Sequence, residues 1–188
     1  MFSYKMKTYA LLDDRGRLRL KGSAFRSRGL EPFQRRIIEE IVQRLVMGHR
    51  EQVRAVIDRW LEDFAFHRVE PRAFARTETL QDSIEAYREK VRAGARSTSA
   101  AYELADASGR PVQPGDQVSF YVAGRGVNVA VNEHAKLASL WDPKRPDENV
   151  EYYQAKVAEI WARFRPFAEN EGLRPPADDE PSPQLTLF

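Results

Sequence analysis

The sequence contains no cysteine and only three histidines, His49, His67 and His134, in 188 residues. Without cysteine, neither disulfides nor thiolate metal sites can form, and this absence is typical of proteins in a reducing cytoplasm. The histidines are too far apart in the sequence to show a metal-binding spacing. A glycine-rich phosphate loop is also lacking, since Gly124-Arg125-Gly126 is too short to indicate one.

Long apolar runs are missing as well. No segment approaches the roughly 20 apolar residues that span a bilayer, and the N-terminus has a strand pattern instead of a signal-peptide apolar region. Hydrophobic residues make up 42% and charged residues 31% of the chain, which is ordinary for a soluble globular protein. We therefore expect one packed core, or a small core with an appendage, and no membrane partner.

Positive charge is concentrated at the N-terminus. Between Met1 and Arg36 there are 10 Lys and Arg against 3 Asp and Glu, or +7. Because the whole chain carries +2, the remainder carries 2 − 7, or about −5. This distribution predicts that the N-terminal segment contacts a polyanion.

Residues 4–28 are predicted to form a β-hairpin. Asp13–Gly16 is a turn sequence, and the register it favours pairs Tyr9 with Lys21 and Leu11 with Arg19. Strand alternation then places one set of residues on a common face: Lys5, Lys7, Tyr9, Arg17, Arg19 and Lys21. Like charges crowded on one face are destabilising unless a polyanion lies across them.

Helical periodicity covers most of the remaining chain. It predicts helices at Leu30–Val46, Val53–Phe64, Ile84–Val91, Ala100–Ala105 and residues 150–170, the first two antiparallel because their link is short. Strands are predicted at Val118–Val122 and through Val127, Val129 and Val131. Residues 71–83 are expected to be irregular, residues 134–141 to form a short helix, and the proline-rich, acidic segment from Gly172 to be disordered. The predicted fold class is α+β and mostly helical, with an N-terminal hairpin, a small β element and a disordered tail.

Several segments resemble family B DNA polymerases. Lys7–Leu12, Lys21-Gly22 and Arg26–Arg28 are similar to the end of the palm domain, where a Lys-x-Tyr motif lies along the minor groove. Further along, four features resemble the thumb domain in the expected order: Tyr87, Ser97–Ala105, Gly115–Val122 and Tyr152-Tyr153. The resemblance implies a palm end at 1–29, a thumb at 30–171 and a tail at 172–188. It also implies no catalytic residue here, since the family's catalytic aspartates lie upstream of the Lys-x-Tyr segment.

The same resemblance implies duplex contacts in the hairpin. Lys7 and Tyr9 match the minor-groove motif, where a long cationic side chain can test base pairs without reading sequence. Lys5 belongs to the same basic face, and Lys21, Arg26 and Arg28 resemble phosphate contacts. The alternative is a solvated basic strand.

A second candidate contact is the segment Arg96, Ser97, Thr98 and Ser99. A helix start exposes amide N–H groups and the positive end of the helix dipole, both of which attract phosphate. The alternative is a plain Ser or Thr helix cap without a ligand.

Carboxylates in the sequence do not indicate a metal site. Asp13-Asp14 lies in a turn, where Asp is favoured for local reasons, and Asp178–Glu180 lies in the tail. We therefore expect this chain to bind no cofactor, and Mg²⁺ to be held by the upstream part of an intact polymerase.

The last residues match the bacterial sliding-clamp pattern of Gln followed by Leu-x-Leu-Phe. Gln184 would make polar contacts, while Leu185, Leu187 and Phe188 would anchor in an apolar pocket. The alternative is a tail that folds back onto the domain.

These features together indicate the C-terminal portion of a bacterial family B DNA polymerase in the cytoplasm, associated with the nucleoid. Its expected partners are primer–template duplex DNA, the upstream palm and fingers portion (in the same protein or a split subunit), and the sliding clamp. Two alternatives stay open. One is a non-catalytic accessory protein that binds DNA and the clamp, and the other is a helical protein-interaction domain.

Overall fold

The computed structural model describes residues 2–5, 8–12, 18–21, 30–109 and 111–169. The chain divides into two compact units, one of Met1–Asp63 with Lys156–Phe188 and one of Phe64–Ala155. The architecture is α+β and mostly helical, which confirms the predicted fold class. The division into segments 1–29, 30–171 and 172–188 stays a prediction.

The first unit contains a three-stranded antiparallel sheet of β1 (Phe2–Lys5), β2 (Thr8–Leu12) and β3 (Leu18–Lys21), in the order β1-β2-β3. The predicted register is confirmed, because Tyr9 lies opposite Lys21 and Leu11 opposite Arg19. The placement of Lys5, Lys7 and Tyr9 along one strand is wrong, since Lys5 belongs to β1 and Tyr9 to β2. A two-stranded hairpin would leave one edge of β2 without backbone partners, and β1 supplies them.

Two helices follow, α1 (Pro32–Val46) and α2 (Val53–Ala65). Pro32 suits the first turn of α1, where a missing N–H costs nothing, and Gly48, with a φ of 83°, follows its end. The Phe33 ring near the start of α1 lies 6.2 Å from the Trp60 ring late in α2. The two helices are therefore antiparallel, as predicted.

The core of this unit comes from the apolar faces of these helices and of α7 (Val150–Glu169). Its members are buried almost completely: Phe33, Ile37, Ile38, Ile41, Val42, Val53, Val56, Ile57, Val157, Ile160 and Phe164. The Arg54 guanidinium of α2 lies 5.2 Å from the Trp161 ring of α7. Apolar periodicity thus located all three helices.

The second unit is built on an antiparallel sheet of β4 (Arg76–Thr79), β5 (Gln117–Val122) and β6 (Ala135–Leu137), in the order β4-β5-β6. Its helices are α3 (Pro71–Phe74), α4 (Ile84–Arg92), α5 (Ala100–Ala107), α6 (Val131–His134) and the start of α7. Tyr87, Ala101, Tyr102, Val118 and Phe120 are central to its core, so α4 and α5 pack on β5.

Three local predictions for the second unit are wrong. Residues 71–83 contain α3 and β4, and β4 has the sequence Arg-Thr-Glu-Thr. Only pairing with β5 makes that polar segment a strand. The predicted strand through Val127 is absent from this described stretch, since Val127 is half exposed and Val131 begins α6. Residues 134–141 give β6 and one 3₁₀ turn instead of a helix.

Among the described helices, none is long and apolar enough to cross a membrane.

Candidate nucleic-acid interface

The hairpin candidates lie on three neighbouring strands. Tyr9 on β2 is the pairing partner of both Ser3 on β1 and Lys21 on β3, so these residues form one row across the sheet. Lys5 lies at the end of β1, opposite Thr8. Lys7, Arg26 and Arg28 lie outside the described residues. The sheet therefore places Tyr9 and Lys21 side by side, as the sequence predicted.

The second candidate is the connecting loop, residues 93–99, between α4 and α5. Gly94 has a φ of 68°, and the amides of Gly94 and Ala95 donate to Val91 O and Lys90 O at 3.0 and 2.9 Å. These bonds satisfy carbonyl groups at the end of α4, in the way that a glycine C-cap allows. The chain leaves α4 in a defined direction and enters α5 at Ala100.

Two stacked tyrosines lie beneath the connecting loop. The rings of Tyr87 and Tyr102 are 4.2 Å apart and inclined by 12°. The Tyr87 hydroxyl accepts the Ser99 N–H at 3.1 Å and donates to Glu103 at 2.5 Å. Burial, and then this bond to Glu103, raise the pKa of Tyr87 above its ordinary value. Tyr87 therefore remains a neutral donor at physiological pH.

Arg96 lies over both rings. Its guanidinium carbon is 4.5 Å from the centre of the Tyr102 ring and 5.4 Å from that of Tyr87. Its Nη1 donates to Asp82 Oδ2 at 3.1 Å, and Lys90 Nζ donates to Asp82 Oδ1 at 2.6 Å. The hydrogen bond from Lys90, together with the charges of Lys90 and Arg96, lowers the pKa of Asp82 although burial opposes this.

Ser99 does not cap α5 with its side chain. It occupies the N-cap position, but its hydroxyl donates to Glu78 Oε2 at 3.2 Å. The predicted plain Ser or Thr cap is therefore wrong at Ser99, because a β4 carboxylate lies within reach of the hydroxyl. Sequence reasoning missed this contact because it did not predict β4.

Thr98 is held by a residue that sequence reasoning also missed. Asn132 Nδ2 on α6 donates to Thr98 O at 3.1 Å and to Thr98 Oγ1 at 2.9 Å. Since Oγ1 accepts that bond, the Thr98 hydroxyl proton can still donate elsewhere. The exposed Ser97 side chain has no hydrogen-bond partner among the described residues.

The connecting loop borders a depression of about 420 Å³. Its lining includes Arg76, Glu78, Arg96–Ala100 and Asn132. Both arginines already pair with carboxylates, Arg76 with Glu78 at 3.0 Å and Arg96 with Asp82. Each arginine keeps further N–H groups, and the loop adds neutral donors that can turn toward a ligand: the hydroxyls of Ser97 and Thr98, and the amides at the start of α5.

A second polar cluster, also missed in the sequence, surrounds Glu148. The Glu148 side chain is completely buried and contacts His67 Nδ1 at 2.7 Å, while the Trp141 indole N–H donates to it at 2.7 Å. Next to it, Tyr121 donates to Asp147 Oδ1 at 2.6 Å. Burial, followed by this hydrogen bond, raises the pKa of Tyr121. Every group has a partner, which fits a structural role.

Within the described part of the chain, no three His, Cys, Asp or Glu residues are grouped so as to hold a metal ion. The clamp-pattern residues Gln184, Leu185, Leu187 and Phe188 lie outside the described residues.

The sequence matches no protein-family model and no curated protein sequence. A solved structure is similar, that of the family B DNA polymerase from the hyperthermophilic archaeon Pyrobaculum calidifontis, with a TM-score of 0.65 and 20% identity. The match covers 89% of this chain. The chain thus has a family B polymerase-like fold. It spans 21% of that polymerase chain, so the match corresponds to one part of the archaeal polymerase.

Proposed function

We propose that this chain is the palm-end and thumb portion of a bacterial family B DNA polymerase, which holds primer–template duplex and binds the sliding clamp. The observation that carries the proposal is the fold match over 89% of the chain. The order of the palm-like and thumb-like segments supports it independently, because those segments were identified from residues alone.

In this proposal the sheet and the connecting loop hold the duplex in different ways. Lys7 and Tyr9 follow the minor groove, while Lys5, Lys21, Arg26 and Arg28 neutralise phosphates. The segment Arg96–Ser99 meets the backbone of the duplex through the start of α5. The tail binds the clamp through Gln184, Leu185, Leu187 and Phe188. The upstream palm and fingers portion carries the Mg²⁺-dependent nucleotidyl transfer, in the cytoplasm at the nucleoid.

Duplex binding tests the hairpin contacts. Lys7→Ala combined with Arg28→Ala should weaken binding of a primer–template duplex and reduce the slope of log K against log salt by about two, because one charge facing the groove and one facing a phosphate are lost. Fluorescence anisotropy at several salt concentrations measures both quantities.

The matched control removes two positive charges from α1. Arg35 and Arg36 are both exposed there, so Arg35→Ala with Arg36→Ala should leave the salt slope nearly unchanged. Equal slopes in the two double variants would contradict the hairpin contacts. Binding that is absent, or insensitive to salt, would favour a helical protein-interaction domain.

The chain alone should not extend a primer, since the proposal places nucleotidyl transfer in the upstream portion. Purified chain with primer–template, Mg²⁺ and nucleotides should give no incorporation above background. Measurable Mg²⁺-dependent extension would contradict the proposal. Binding of duplex and clamp with no polymerase partner in a pull-down would favour a non-catalytic accessory protein.

A further inference from the structure

Arg96 is engaged on several sides by its own chain. Its guanidinium carbon lies within 5.4 Å of the centres of both stacked tyrosine rings, and its Nη1 reaches Asp82 at 3.1 Å. A planar guanidinium can stack flat on a ring while it donates in its own plane to a carboxylate, a geometry that a compact ammonium group does not have. The charge of Arg96 is thus balanced inside the unit, and only a third of its side chain is exposed.

The hydroxyl groups of the same two tyrosines also accept hydrogen bonds from backbone amides. The Tyr87 hydroxyl accepts the Ser99 amide, and the Tyr102 hydroxyl accepts the amides of Gln81 and Asp82, each at 2.8 Å. Arg96 therefore connects the tyrosine pair to Asp82 and to the connecting loop, of which it is a member. Arg96 and Ser99 are both held by these contacts, and only Ser97 and Thr98 lie between them in the chain.

We propose that Arg96 is a positioning residue that holds Ser97 and Thr98 in place to donate hydrogen bonds to a nucleic-acid phosphate, and that Arg96 itself does not contact phosphate. The proposal rests on the duplex-binding function proposed above and assigns separate roles within the segment Arg96–Ser99. Ordering a loop before binding lowers the entropy cost of binding, so its loss weakens affinity without changing the number of charge contacts.

Asp82→Asn separates a positioning role from a contact role. If Arg96 positions the loop, this substitution weakens its anchor, and duplex affinity should fall by about three- to tenfold. If Arg96 contacts phosphate, the substitution releases its charge, and affinity should rise. Because Lys90 also pairs with Asp82, the comparison is made in a Lys90→Ala background, so that only the charge of Arg96 is released. Glu89→Gln is the matched control, because Glu89 is an exposed carboxylate on α4 whose loss changes the net charge equally.

Salt dependence supplies a second readout. Arg96→Ala and Arg96→Lys should both weaken duplex binding by about three- to tenfold while leaving the slope of log K against log salt as in the wild type. A slope that falls by about one in Arg96→Ala and returns in Arg96→Lys would overturn the proposal. So would tighter binding in Asp82→Asn than in Glu89→Gln.

Amide hydrogen exchange tests the positioning role without DNA. Exchange at the Ser99 amide should be faster in Arg96→Ala and Asp82→Asn than in the wild type and Glu89→Gln, with circular dichroism confirming that each variant is folded. Unchanged exchange in both would overturn the proposal whatever the chain binds. Failure of the wild type to bind duplex would instead contradict the proposed function, so the two failures are distinguishable.

Discussion

At the scale of single residues, Glu148 has two side-chain partners in the second unit, His67 from 81 positions and Trp141 from 7 positions away in the chain. The Trp141 indole N–H donates to Glu148 Oε2, and His67 Nδ1 donates to Glu148 Oε1 in the tautomer that carries a proton on Nδ1. His67 also has a φ of 53°, a left-handed conformation that costs a histidine free energy. The contact with Glu148 offsets this cost, because a buried carboxylate oxygen without a partner carries a desolvation penalty.

His67→Ala should therefore lower the free energy of unfolding by about 1–3 kcal/mol, since it leaves one oxygen of a buried carboxylate without a donor. Urea denaturation measures the change. His49→Ala is the control, because His49 pairs with Glu51 at 3.8 Å and both side chains are about half exposed or more. If the two variants lose equal stability, the His67–Glu148 contact does not stabilise the fold.

At the scale of elements, the connection between α4 and α5 determines the candidate site. Both helices follow from their apolar spacing, and Gly94, with its positive φ, comes shortly after the end of the first. The contacts that shape the connecting loop come from elsewhere: Asn132 on α6 and Glu78 on β4. The sequence therefore located the loop, but it could not identify the residues that hold it, because those residues are 21 and 34 positions away in the chain.

Gly94→Ala should destabilise the protein by about 1–2 kcal/mol, because an L-residue is strained at a φ of 68°. A Cβ at this position meets no atom within 4 Å, so the cost is confined to the backbone. Gly94→Asn should cost less, since Asn tolerates the left-handed region better. Thermal unfolding compares the two, and an equal loss in both variants would mean that packing, not backbone strain, sets the cost.

At the scale of the whole molecule, two compact units and a polymerase-like fold occur in a chain that spans 21% of its structural relative. A part of this size can hold a substrate that another part converts. The proposed duplex and clamp contacts occupy different segments, residues 5–99 and 184–188, so they can be removed separately.

Leu185→Ala with Phe188→Ala should abolish binding to the bacterial sliding clamp and leave duplex affinity nearly unchanged, because both apolar anchors are lost. Thr186→Ala is the matched control, since Thr186 occupies the variable position of the Leu-x-Leu-Phe pattern. Surface plasmon resonance with immobilised clamp measures the effect. Undiminished binding by the double variant would show that the tail pattern is coincidental.

The sequence by itself determined the long helices, the β2–β3 register and the position of the connecting loop. Each of these depends on neighbours in the chain, through apolar spacing, turn residues or a helix-ending glycine. Only the tertiary structure decided that Arg-Thr-Glu-Thr is a strand, that β1 completes the first sheet, and that Arg96 pairs with Asp82 over two tyrosines. These features require partners far along the chain, and no local preference of the residues encodes where such partners meet.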